Sequence, residues 1–156
     1  MRRRIIAPAL MLVLVLTSLG FQCGGGGGNS NSDPKRKYAK ALDDMAGALN
    51  AMIKAKRQLA QSGRLSQPEE LKLTNQLLTA NNAVTAALNT VKSLTTVDAS
   101  NRSQLLQLFT AVTTAMNDLG TSIPTFGNPD AKDKLQKIFA GITAALTIIN
   151  SLQNQP

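Results

Sequence analysis

Cys23 carries the only thiol in the chain, and no histidine is present anywhere. A thiolate is a nucleophile and a metal ligand, but the usual partner that would activate it, an imidazole, is missing. So is the commonest general base and metal ligand. The remaining titratable groups offer no substitute. Asp43 and Asp44 are adjacent in a helical pattern, where neighbouring side chains point about 100° apart. They cannot converge on one proton or one cation. Glu69 and Glu70 follow Ser66 and Pro68, the arrangement of a helix start. The glycines of residues 24–28 follow an apolar segment rather than a strand that opens into a helix, so they do not form a phosphate-binding turn. Serine, threonine and lysine are plentiful but have no nucleophile setting. An active site needs converging titratable groups. We therefore expect no enzymatic activity, no cofactor and no metal site.

What Cys23 can do is set by its neighbours. The stretch "TSLGFQCGGGGGNSNSDP", residues 17–34, places it between an apolar segment and a run of glycine. A glycine run has nothing to pack, so this cysteine is not a core residue. Upstream, "MRRR" supplies a positive start, "IIAPALMLVLVL" an apolar middle and "TSLG" small residues, the layout of an export signal. Arg2, Arg3 and Arg4 would remain on the cytoplasmic side.

Residues 1–33 resemble the N-terminus of a bacterial lipoprotein. Resemblance to that family implies cleavage before Cys23, a thioether-linked diacylglycerol on its sulfur and acylation of the new amino group. The family's usual box has leucine three residues before the cysteine and a small residue directly before it. Here Gly20 and Gln22 hold those positions and Leu19 lies one step early. Two other outcomes stay open. Cleavage after Gly20 would leave Cys23 as a free thiol near a soluble N-terminus. An uncleaved Ile5–Phe21 is about the minimum length for a membrane anchor. All three place the rest of the chain outside the cytoplasm, in the cell envelope. Gly24 stands where a retention signal, usually Asp, would sit in Gram-negative lipoproteins. By that resemblance, a Gram-negative cell would carry the chain on its outer membrane.

The linker of residues 24–33 behaves as a coil about 17 Å from end to end and at most about 35 Å long. Behind it, punctuation divides the chain into helices. Asp33-Pro34 is a cap followed by proline at the first helical position, and Gly63 is a stop. Ser66 and Glu69 form a capping box. Asp98 and Asn101 offer a third start. Gly120, Pro124 and Gly127 mark a break, and Asn128-Pro129-Asp130 repeats the first device. Between these marks apolar residues recur every three or four positions. One such seam is Leu73, Leu77, Ala80, Val84, Ala87, Val91 and Leu94. The other three are Tyr38 to Leu59, Leu105 to Ile123 and Leu135 to Leu152. This period predicts helices over about 34–62, 67–95, 99–120 and 129–153. Short loops make neighbours antiparallel, so the fold class is all-α, an up-down-up-down four-helix bundle over residues 34–153. Ile53, Leu78, Leu88, Leu106, Leu108, Phe139, Leu146 and Ile148 are expected to widen the apolar stripes. Gly47 and Gly141 fall inside helices at a cost of about 1 kcal/mol each against alanine; either close approach of a neighbour offsets that cost, or the two glycines are simply tolerated.

The formal charge is +8, and it is unevenly placed. Residues 35–64 carry Lys35, Arg36, Lys37, Lys40, Lys54, Lys56, Arg57 and Arg64 against only Asp43 and Asp44. Lys35, Arg36, Lys37 and Lys40 occupy the first turns of the first helix, where positive charge opposes the helix dipole. They are either a solvated basic face on a frayed first turn or the candidate contact for anionic headgroups or lipopolysaccharide beside the anchor. Nucleic acid is not the expected partner, because export removes it and stacking aromatics are few. The sequence thus points to a membrane-tethered, non-enzymatic binding or structural module with a protein partner. A second reading is a carrier of a small apolar ligand, with Met45, Met52 and Met116 lining a pocket.

Overall fold

A computed structural model describes residues 33–153 of the chain. Cys23, the apolar segment and the glycine linker lie outside the described residues. Four helices follow in order: α1 (Pro34–Gln61), α2 (Gln67–Ser93), α3 (Ala99–Ser122) and α4 (Pro129–Gln153), with a 3-10 turn at Ile123–Thr125. No strand occurs among the described residues.

Each helix starts where a side chain can take up otherwise orphaned backbone donors. Asp33 accepts from the Lys35 amide at 3.0 Å. A Glu69 carboxylate oxygen accepts from the Ser66 amide at 2.8 Å and from the Ser66 hydroxyl at 2.6 Å. Asp98 accepts from Ser100, while Asn101 accepts from the Asp98 amide. Asn128 accepts from the Ala131 amide at 3.0 Å. At the end of α1, Gly63 is left-handed (φ 66°). Its amide donates to Ala60 and that of Arg64 to Leu59, the double bond of a Schellman stop.

The helices form an up-down-up-down bundle. Lys35 reaches Leu94, Asp43 pairs with Lys92, and Lys56 pairs with Glu70, which fixes α1 and α2 as antiparallel. Gln76 bonds to Asp118 and Ser122 between α2 and α3. Lys134 donates to Gln58 between α4 and α1. The α1 helix packs extensively on α2 and α4, and α2 on α3, whereas α3 and α4 touch more sparingly. The core is the predicted seams. Leu42, Met45, Leu49, Met52, Leu73, Val91, Val112, Met116, Leu119, Leu135, Ile142 and Ile149 are fully buried. Each large apolar side chain so placed contributes about 1.5–3 kcal/mol. Tyr38 stacks on Phe109 across the diagonal, ring centroids 4.7 Å apart.

Two expectations need correction, and one open alternative is decided. The α3 helix does not stop at Gly120 but runs to Ser122 and into the 3-10 turn. Gly120 is not left-handed, Gly63 being the only described glycine with positive φ. Gly120 serves another purpose. A Cβ there would lie 2.6 Å from the Phe139 ring, so the glycine admits that ring against α3. Of the two alternatives for Gly47 and Gly141, simple tolerance holds: a Cβ at either meets nothing within 4 Å. Finally, Leu78, Leu106 and Ile148 do not widen the buried stripes. They stand exposed, as does Leu71, because helical rotation places them about 100° or more away from the middle of the seam on their own helices. Leu65 and Phe126, both in loops, close the ends of the core instead.

Candidate functional site

The four predicted contact residues lie where the chain enters the bundle, and they are not equivalent. The Lys35 ammonium donates to the Leu94 carbonyl at the end of α2. An antiparallel neighbour brings its negative C-terminus beside the start of α1, so a cation unfavourable to its own helix is favourable to the next. Lys40 is paired with Asp44 at 3.2 Å, one turn on. Arg36 and Lys37 are exposed. Only part of the cluster therefore projects its charge outward.

Further along α1, Arg36, Asp43, Asn50 and Arg57 recur at seven-residue spacing and form one outward line. On α2 the facing line is Lys92, Thr85, Leu78 and Leu71. Asp43 and Lys92 join the two at 3.2 Å. Lys56 lies between the helices, its side chain 15% exposed, paired with Glu70 at 3.3 Å and donating to Thr74 at 2.9 Å. Beside it is a groove of about 230 Å³ with Ile53, Leu77 and Leu78 as its apolar part and Lys56, Arg57, Thr74 and Asn81 around them. The sequence reading missed this face. Its signal was the pair Leu71 and Leu78, seven apart and on the side of α2 opposite the seam.

A second cavity, about 330 Å³, opens between α2 and α3 and is mostly polar. Gln76 spans its floor. Its amide nitrogen donates to the Asp118 carbonyl at 2.9 Å, and its oxygen accepts from the Ser122 hydroxyl at 2.5 Å. Ser122 is the buried polar residue of the described core, and this bond satisfies it. Lys72, Asn75, Thr79, Asp118 and Thr121 complete the lining.

The groups with shifted acidity serve the fold. Burial pushes the Tyr38 hydroxyl up, against a smaller opposing effect of Arg102. The Ser66 hydroxyl, then the Gly127 and Ser66 amides, hold the Glu69 carboxyl down. Asp98 is held down chiefly by Ser100. Several threonines are exposed, yet their hydroxyl protons are not offered to a partner. Thr74, Thr79, Thr110, Thr143 and Thr147 each donate to the carbonyl four residues back, committing their protons to the backbone. Met45, Met52 and Met116 are fully buried members of the core.

No family model, curated protein or solved structure matches this chain. No described helix is long and apolar enough to cross a membrane.

Proposed function

We propose that this chain is a membrane-tethered, non-enzymatic module of the cell envelope. Its helical bundle is held beside a bilayer by lipid on Cys23 and works by binding a protein or filling a place in an assembly. The observation that carries the reading is positional. The exposed cations Arg36 and Lys37 stand on the first turn of α1, next to Asp33, where the tether of residues 23–33 joins the bundle. Charge at that point lies within a Debye length, about 8 Å, of any surface the tether draws close. Each cation near an anionic leaflet contributes on the order of 1 kcal/mol.

The test is Cys23→Ser in the full chain, followed by separation of membrane and soluble fractions. Loss of the protein from washed membranes is the expected result. Because an uncut apolar segment would also hold the Cys23→Ser chain on membranes, the deciding readout is incorporation of labelled fatty acid. Label on the unaltered chain and none on Cys23→Ser is expected, and no label on the unaltered chain would exclude a lipid on Cys23. Arg36→Gln with Lys37→Gln should weaken adhesion to phosphatidylglycerol vesicles and leave adhesion to phosphatidylcholine vesicles unchanged.

A further inference from the structure

Resting on the tethered reading, we infer that the α1–α2 face is a docking surface for anionic phospholipid, on which the bundle lies flat. Two observations combine. Leu71 and Leu78 are 63% and 59% exposed, one above the other on the outward line of α2, and Leu78 borders the groove that holds Ile53 and Leu77. Around them the charge is one-sided. The carboxylates of this face are each engaged: Asp43 by Lys92, Asp44 by Lys40 and Glu70 by Lys56. Arg36, Lys54 and Arg57 have no carboxylate partner among the described residues. Beyond Glu70, α2 contains no acidic residue at all. Exposed leucines flanked by unpaired cations suit the boundary between headgroups and acyl chains, where apolar burial and attraction to anionic lipid act together.

Orientation follows from distance. Arg36 and Arg57 are separated by about 30 Å along α1, several Debye lengths. In an upright bundle Arg57 and both leucines would be far from the surface. Lying flat brings all of them to it, and the linker is long enough to permit this. Leu106 on α3 and Ile148 on α4 are also exposed, but they stand singly on separate helices.

The experiment uses the full chain with its own N-terminus, reconstituted in vesicles of phosphatidylcholine with or without phosphatidylglycerol. A fluorophore is placed on Thr85→Cys, on the outward line of α2, or on Thr114→Cys, on the outer side of α3. Quenchers sit on the lipid acyl chains, and flotation reports attachment. The expected result is quenching at position 85 but not at 114, dependent on phosphatidylglycerol. Leu71→Asn with Leu78→Asn should abolish it while flotation and the helical circular dichroism signal persist. Equal quenching at both positions, or none at 85 in a chain that floats, overturns the flat orientation and leaves the tether standing. Quenching at 85 that ignores phosphatidylglycerol overturns the role of anionic lipid. A chain that does not float overturns the tether as well. If position 85 is protected only when an acidic protein is added, the face belongs to a protein and the lipid assignment is wrong.

Discussion

The ring of Phe139 on α4 occupies the space that a side chain at Gly120 on α3 would take. A Cβ at position 120 would come within 2.6 Å of the ring's Cζ and 2.7 Å of its Cε1. This contact lies at the seam where helices otherwise touch most sparingly. Gly120→Ala gains about 1 kcal/mol of helix propensity, but displacing the ring loses roughly 1–3 kcal/mol. Urea unfolding should show net destabilisation, and Phe139→Leu in the same chain should relieve part of it. If Gly120→Ala is stabilising by itself, the ring does not hold α4 to α3.

Gly47 and Gly141 give the opposite sign. A Cβ meets nothing within 4 Å at either position. Gly47→Ala and Gly141→Ala should each raise stability by about 0.5–1 kcal/mol, read as a higher urea midpoint with unchanged slope.

Tyr38 makes the bundle sensitive to alkali. It is 6% exposed and stacked on Phe109, and burial raises its pKa above 10.0. The unfolded chain ionises first, so the stability from a neutral Tyr38 is complete below pH 10.0 and is lost as the pH climbs through the folded value. Tyr38→Phe should abolish this loss. Because Tyr38 is the only tyrosine and there is no tryptophan, tyrosinate absorbance follows this single group.

Glu69 acts at the other limit. It caps α2 and also accepts from the Gly127 amide at 2.7 Å, tying the α3–α4 loop to the start of α2. Its pKa is lowered from 4.5. The stability it supplies is present above that value and disappears as the pH falls through the folded one. Glu69→Gln should destabilise at neutral pH by about 1 kcal/mol. Its unfolding midpoint should meet that of the unaltered chain in acid, and parallel curves at every pH would rule the mechanism out.

The basic turn separates by substitution. Lys35→Gln removes the bond to Leu94 and should lower stability by roughly 0.5–1 kcal/mol. Arg36→Gln and Lys37→Gln remove charge that opposes the dipole of α1 and should be neutral or stabilising by a few tenths of a kcal/mol. Equal effects at all three positions would mean that Lys35 is not engaged with α2.

The bundle was legible because its determinants are local. Asp33, Asp98 and Asn128 cap with their own side chains, Glu69 takes up the Ser66 amide and hydroxyl, Gly63 stops α1 with its own φ, and the seam from Leu73 to Val91 states its period without interruption. Part of what escaped depends on partners distant in sequence. Nothing local to Gly120 announces Phe139, whereas the rotation of Leu78 away from its seam could have been read from the helical period. Phe126 and Leu65 sit in loops where no period exists, yet they seal the core. The basic turn looked like a broken rule only within its own helix; the end of α2 at Leu94 supplies the reason for Lys35. That reason accounts for one cation of the turn and leaves Arg36 and Lys37 outward.

The central claim, a bundle tethered to a membrane through sulfur, is tested most directly by the intact mass of protein extracted from membranes of cells producing the full chain. The account predicts a polypeptide beginning at Cys23 whose mass exceeds that of residues 23–156 by a diacylglycerol and a further acyl chain. A mass equal to the uncut chain, or to an unmodified chain beginning at Phe21, would contradict it.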